Sequence, residues 1–468
     1  MRFRQHRIAI KADIAKMYRQ IKIVEDHRPY QRIFWRKEPT DPIKVCELST
    51  VTFGMAASAF LATRSLKQAG LDSVKEFPQA SQEIIDNFYV DDWLSGECTV
   101  ENAIALSKDV VKILDGAGMQ LRKFSSNSRE FIESIPESHR EVVDEGKTLK
   151  ALGLRWNERK DVYGFDVQPM AYQKVTKRIA LSEMSRIHDP DGMLGPVTFK
   201  FKLFMKKVHQ LKTSWDAPLP KKEEDEWKEL AGTFEELKNI EIPRHFLINS
   251  HTNIQLHGFC DASDKGYGAA FYVVSRDAAG RRKSLLVCDK SRISPTEYRS
   301  TARLELCGAL LLAHLMTRVG KALTIYINKQ FCWTDSAIVL HWLRKKSPAL
   351  LQTFVADRVS EVQELTAAMI WRHVRSEFNP ADLISRGILP MDLVDCLHWW
   401  HGPGYLLHNE TQWPASMIEL NPDNPLYANE FKKIYTNVHV ASTTMSSENN
   451  IFLKWIQMKW KIQVEVFM

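Results

Sequence analysis

Phe88-Tyr89-Val90-Asp91-Asp92-Trp93 sets two adjacent carboxylates at the tip of what reads as a tight β-hairpin. Asn87 to Val90 is a short aromatic and β-branched run suited to a strand, Asp91-Asp92 forms a two-residue turn, and Trp93-Leu94 begins the return strand. Adjacent acids at a turn repel each other, and a divalent cation, which takes carboxylate oxygens, would compensate. Taken alone, the pair reads first as a solvated turn. Its neighbours change that balance.

Upstream, Arg7–Ala12 alternates like a strand and delivers Asp13 at its end, followed by Ile14–Ile21. Tyr18 within that run reads by itself as a half-buried tyrosine on an amphipathic turn. Gln31–Arg36 and Ile43–Leu48 read as two strands joined by the turn-rich Lys37–Pro42, and Val51–Ser58 leads into a small-residue helix. Gly118–Lys123 and Leu152–Trp156 follow downstream of the hairpin. In this order the segments resemble the palm motifs of reverse transcriptases. The resemblance implies that Asp13 and Asp91 hold two Mg²⁺ ions, with Asp92 completing the catalytic box, to activate a primer 3′-oxygen and stabilise leaving pyrophosphate. It also implies that Tyr18 is the gate against a ribose 2′-hydroxyl and that Phe53 and Gly54 contact template. Lys123 then belongs to the lysine-bearing motif and Trp156 to the primer grip.

Composition is that of a soluble globular chain of 468 residues, long enough for two or three domains. No run of about 18 apolar residues is present, so no membrane partner is expected. The net charge of +7 permits phosphate binding without demanding it, although basic residues crowd the first forty positions, from Arg2, Arg4 and Arg7 to Lys37. That Arg-rich start runs directly into the Asp13 strand, which argues against a mitochondrial presequence. The seven cysteines are dispersed with no CxxC pair, so we expect core thiols in a reducing intracellular compartment, cytoplasm or nucleus, and no structural zinc.

Near Tyr172 the texture turns helical. Asp189-Pro190-Asp191-Gly192 breaks one helix, Gly195-Pro196 opens another, and Lys221 to Leu237 reads as a charged, solvated helix carrying Trp227. A second acidic series begins at residue 252. Asn253–Cys260 is a strand ending on Asp261, and Gly266–Val274 is the next strand. Ser294 as N-cap, Pro295 at the first helical position and Glu297 closing a capping box predict a helix running toward Met316. Glu305 on it has small residues three and four positions away, Thr301, Ala302, Gly308 and Ala309, and no ion-pair partner on its own face, which leaves room for a metal and a phosphodiester. Alternatively it is a surface Glu beside small residues. Phe331–Thr334 is a strand ending on Asp335, followed by a helix from Ala337 to Leu343, and Met369–Val374 is a strand leading to Asp382. Asp335 and Asp382 each have an N-cap alternative, and His373 reads equally as a structural strand-end histidine.

Strand-end Asp, helix Glu, strand-end Asp, then a His loop leading to Asp resembles the ribonuclease H fold. The resemblance implies that Asp261, Glu305, Asp335 and Asp382 bind two Mg²⁺ ions, Mn²⁺ being an alternative, and that His373 assists product release or proton transfer. Lys290–Pro295, Arg303–Ala309, Trp333–Ser336, Asn379–Gly387, Trp399–Pro403 and Gln412–Pro414 narrow it: they resemble Pao/BEL-type long-terminal-repeat retrotransposon polyproteins, over roughly residues 5 to 415.

The expected fold class is α/β: an α+β palm sheet with helices, a helical connection, then a mixed five-stranded ribonuclease H-like sheet flanked by helices. The expected domains are a reverse transcriptase unit over 1–170 with its fingers largely missing, a connection over 171–250, the nuclease-like unit over 251–390, and a C-terminal extension over 391–468. The short lead before Asp13 predicts a fragment or decayed gene copy whose polymerase activity is lost by truncation. Expected partners are RNA–DNA hybrid, DNA and RNA; a protein partner would be a second copy or an intact retroelement polyprotein. Three readings compete: a fragment with an active hybrid nuclease, a non-catalytic nucleic-acid-binding remnant, and an unfolded relic.

Overall fold

Burial on both faces makes Ile8–Ile14 the central strand of the first sheet. The two-residue period of a strand sends Ile8, Ile10, Ala12 and Ile14 into a core shared with the helices Ser58–Asp72, Pro78–Asp86 and Val100–Gly116. Lys11 and Asp13 therefore point to the opposite face. The computed structural model describes residues 1–142, 149–151, 153–167, 174–297, 299–415, 419–421 and 423–432. Leu152, the domain division expected at 170–171 and most of the expected C-terminal end lie outside the described residues.

In this sheet the antiparallel neighbours run Phe88–Tyr89, Asp92–Glu97, Ile8–Ile14 and Leu121–Ser125. The hairpin turn falls one residue earlier than the sequence suggests, on Val90-Asp91, because Phe88 pairs with Trp93 and Tyr89 with Asp92. Trp93 is fully buried, and that fixes which face each residue of its strand takes. Asp92 becomes a strand residue directly opposite Asp13, and Val90 adopts a positive φ of 58°, unusual for a β-branched residue. The segments Arg32–Trp35 and Lys44–Glu47 form the separate two-stranded ribbon expected between these motifs.

The second main sheet has five strands in the order Arg282–Ile293, Gly266–Asp277, His251–Ala262, Lys329–Thr334 and Ile370–His373. Its first three strands are antiparallel and its last two join in parallel, so the sheet is mixed and the α/β class holds. The strand Arg282–Ile293 escaped the sequence reading: its Leu285–Cys288 stretch is buried on both faces and lacks alternation. The helix Thr301–Ala322 packs on the strands His251–Ala262 and Gly266–Asp277. It starts later than the sequence predicts and ends later. Ser294 is no N-cap, because its hydroxyl donates to the carbonyl of Asp264 at 2.8 Å while its backbone N–H donates to Lys265, tying the neighbouring strand turn instead. Ser300 is the cap residue.

On the other face of the sheet, Phe259, Tyr272 and Trp333 share a core with Phe201, Trp399 and Trp413. The tryptophan-rich motifs after residue 390 thus complete this core, with the Tyr272 hydroxyl donating to the Trp399 carbonyl at 2.8 Å. The charged Lys221–Leu237 stretch is an α-helix over Lys221–Gly232 followed by a 3₁₀ turn over Thr233–Asn239. It is solvated on one side only, since Trp227 is fully buried and its indole N–H donates to Glu183 at 3.1 Å.

Arg4 likewise belongs to the interior. Its guanidinium donates to the carbonyls of Arg244, Val287 and Leu286 at 3.1 Å each, so this part of the basic start holds the fold together rather than meeting phosphate. The equally buried Arg244 clamps Asp161 through two bonds of 2.6 and 2.8 Å and donates to the carbonyls of Phe3, His6 and Arg7. Residues 1–430 form one unit in which Arg4 joins the segment before the first strand to the strand Arg282–Ile293, and Arg244 joins that segment to Asp161. All seven cysteines are free, and no described helix is long and apolar enough to cross a membrane.

Candidate nuclease and polymerase sites

Parallel pairing places Cys260 beside Thr334 and Thr334 beside His373, so Asp261 and Asp335 leave adjacent strands at the same sheet edge. Gly308 lets the Glu305 helix approach that edge: a Cβ there would stand 3.2 Å from the Asp261 carbonyl oxygen. Asp382 arrives on the short helix Asp382–Arg386. Three anchors hold that helix: Ser263 donates to the Ser385 carbonyl at 2.6 Å, the Asn379 amide donates to the Cys260 carbonyl at 3.0 Å, and the Ser385 hydroxyl donates to Asp261.

The N-cap alternatives fail for both aspartates. Ser336 caps the helix Ala337–Leu343 by accepting from the Val339 N–H, leaving Asp335 to accept from Ser376 at 2.6 Å. Asp382 sits inside the first turn of its helix, 2.7 Å from the Arg386 guanidinium. Burial raises Asp261 above the usual carboxylate range, the charge of Asp335 adds to this, and Ser385 opposes it. Burial also pushes Glu305 up to about 7, against a hydrogen bond with Ser336 and with further help from Asp335. Asp382 is raised by burial and Asp335 and lowered by Arg386. The four carboxylates thus form one electrostatic neighbourhood of crowded, partly desolvated acids.

That donor set suits a hard divalent cation, which carboxylate oxygens bind and whose charge would relieve the crowding. Among the described residues, however, no three acid, imidazole or thiol groups stand in the arrangement of a metal cage. Asp335 and Asp382 are turned to Ser376 and Arg386 instead. His373 is buried beneath the edge, its Nε2 bonded to the Asp335 carbonyl at 3.2 Å and its pKa lowered by burial, so it braces the Asp335 loop.

In the first sheet, Asp13 and Asp92 are cross-strand partners and Asp91 is the adjoining turn residue, whose carbonyl accepts from the Ile14 N–H at 2.9 Å. Burial and the charge of Asp91 raise both Asp13 and Asp92. Lys123, at a positive φ of 55°, brings its ammonium 3.7 Å from Asp13 and opposes the rise. Tyr18 packs edge-on against Phe53 with ring centroids 4.6 Å apart, and Gly54 beside it takes a φ of 87°. Trp156 stands apart: it is fully buried, donates to Asp161 at 3.1 Å, and presents no surface to a primer.

Sequence reasoning missed the positioning residues Ser385, Ser376, Ser336 and Asn379. Ser385 and Asn379 lie in the quoted Asn379–Gly387 motif, but nothing in their spacing says which carboxylate or carbonyl they reach. Lys11 was also missed; it shares the face of Asp13 and lies 3.8 Å from Glu141.

Residues 176–336 match the model of the Pao retrotransposon-like RNaseH-like domain family. Among solved structures, a foamy viral protease-reverse transcriptase, in a form designated dRH and in complex with double-stranded DNA, is 14% identical with a TM-score of 0.51 over 80% of this chain and 57% of that one. A foamy viral protease-reverse transcriptase in complex with double-stranded DNA is 13% identical with a TM-score of 0.49, over 80% of this chain and 68% of that one. The chain spans little more than half of the first of these relatives. No curated protein matches the sequence.

Proposed function

We propose, for a chain carrying a Pao retrotransposon-like RNaseH-like domain within a reverse-transcriptase-like fold, that residues 251–390 cleave the RNA strand of RNA–DNA hybrids. The observation that supports this most is the gathering of Asp261, Glu305, Asp335 and Asp382 at one sheet edge, with Asp261 and Glu305 each raised by burial and by the charge of Asp335. A divalent cation bound there, Mg²⁺ or Mn²⁺, supplies Lewis-acid polarisation of the phosphodiester and a water of lowered pKa. Asp261, Glu305, Asp335 and Asp382 would hold it. Ser385 keeps Asp261 turned to the edge, Ser336 does the same for Glu305, and His373 fixes the Asp335 loop. The nucleic-acid partner we infer is a hybrid or duplex; the viral relative is in complex with double-stranded DNA.

For Asp13, Asp91 and Asp92 we infer polymerase descent and the weaker chemistry of the two sites. Lys123 already neutralises Asp13, so a metal ion there competes with an internal cation. A non-catalytic, nucleic-acid-binding role is the second reading, favoured by the internal commitments of Asp335 and Asp382.

A hybrid-cleavage assay on the full chain with Mg²⁺, run beside primer extension, separates these readings. We expect cleavage that Glu305→Gln abolishes, and little or no extension. Cleavage indifferent to Glu305→Gln would refute the nuclease; salt-sensitive hybrid binding without cleavage would establish the second reading.

A further inference from the structure

Three guanidinium groups converge on one phenylalanine beside the carboxylate edge. Arg358, Arg299 and Arg303 lie 3.6, 4.9 and 5.2 Å from the centroid of the Phe354 ring. Like charges so close repel, and only one is neutralised: Arg303 is gripped by Glu430 through bonds of 2.7 and 2.9 Å. Among the described residues, Arg299 and Arg358 have no carboxylate in ion-pair contact. Both line a cleft of about 370 Å³ with Tyr267, Arg292, Cys307 and His314, and the His314 ring is held by Glu361 at 3.0 Å. A Cβ on Gly308 would stand 3.2 Å from the Asp261 carbonyl oxygen and 3.7 Å from the Cβ of Tyr267, so the cleft that Tyr267 lines borders the Asp261 end of the carboxylate group.

We propose that this cleft docks a backbone phosphodiester of the same nucleic acid, and that Glu430 is an internal competitor holding Arg303 away from it. The proposal rests on the nuclease reading for the identity of that nucleic acid. Guanidinium forks match phosphate oxygens in pairs, and the Phe354 face pre-orders Arg299 and Arg358, the second of which also donates one Nη1–H to the Phe354 carbonyl at 3.0 Å. Position favours a nucleic acid over an acidic peptide, because a strand crossing the carboxylate edge must continue over one flank.

The test is anisotropy of a short labelled RNA–DNA hybrid on the full chain, without divalent cation, across a range of KCl. The pair Arg299→Gln/Arg358→Gln should weaken binding about tenfold near 0.1 M salt and lower the slope of log K against log salt by about two. Arg299→Gln alone, on a loop before the helix, should lower the slope by about one. Arg281→Gln, which removes a charge already paired with Asp277, should change neither, and Glu430→Gln should tighten binding. An unmoved slope in Arg299→Gln and in the folded double variant overturns the proposal, as does a double variant that loses a poly-glutamate ligand while keeping the hybrid. Arg-dependent hybrid binding with no cleavage by the unmodified chain would sink the nuclease reading and leave the docking site standing. Glu305-dependent cleavage with an unmoved slope would do the reverse.

Discussion

Ser385 is a small residue with a large share in the arrangement, because its hydroxyl ties Asp261 to the helix that carries Asp382. Ser385→Ala should reduce hybrid cleavage about tenfold, the equivalent of roughly 1.4 kcal/mol, while Ser385→Thr, which keeps a hydroxyl, should recover part of it. Equal cleavage by the Ala and Thr variants would show that the bond does not position Asp261. His257 shows a different residue-scale effect. It is fully buried, its Nδ1 accepts from the Trp333 indole at 3.2 Å, and burial, with Arg282 and Arg372 nearby, lowers its pKa to about 3. Its native state therefore binds fewer protons than the unfolded chain, whose histidine titrates near about 6.5. The stabilisation linked to this difference is complete above that value and is lost as pH falls toward 3. His257→Gln should accordingly cost less stability at pH about 5 than at pH about 7. Thermal unfolding of both proteins at the two pH values checks it; a pH-independent difference would contradict the assigned neutral imidazole.

The helix Asp382–Arg386 is too short to be stable by itself and exists where tertiary bonds place it. Ile384 packs so closely on Gly268 that a Cβ there would stand 2.4 Å from its Cγ2. Gly268→Val should drive this helix outward, separate Ser385 from Asp261, and lower cleavage by more than about tenfold while the circular dichroism of the sheet and long helices persists. Retained full activity would mean that the edge tolerates displacement of Asp382. The hairpin shows the same dependence at the polymerase-like site, where burial of Trp93 moves Asp92 out of the turn and opposite Asp13.

Across the whole of residues 1–430, Arg4 and Arg244 are polar fasteners of the segment that leads into the first strand, Arg4 to the strand Arg282–Ile293 of the second sheet and Arg244 to Asp161. Arg244→Ala leaves Asp161 without its bidentate partner and three carbonyls short of a donor, which should cost about 3 kcal/mol or more of stability. Urea unfolding monitored by tryptophan fluorescence measures this; a loss below about 1 kcal/mol would show the fastener to be replaceable by water. At this scale the sequence was least legible. Arg4 looked like part of a phosphate-binding start, and Trp156 like a primer contact, yet both are interior groups. Neither type of residue announces whether its polar atoms will meet solvent or buried carbonyls.

Local pattern was enough for the strands that end in Asp261 and Asp335, the central Asp13 strand and the acidic order along the chain, whereas the mixed five-stranded sheet was expected only from the resemblance to the ribonuclease H fold. Period-two alternation and strand-end acids are properties of neighbours in sequence, so they can be read without a fold. What only the tertiary structure decided was register and convergence: the true turn at Val90-Asp91, the late start of the Glu305 helix, the Ser385 tie to Asp261, and the cluster of arginines on Phe354. Each depends on which buried group another segment supplies, and burial across a long sequence separation leaves no periodic trace in the chain itself.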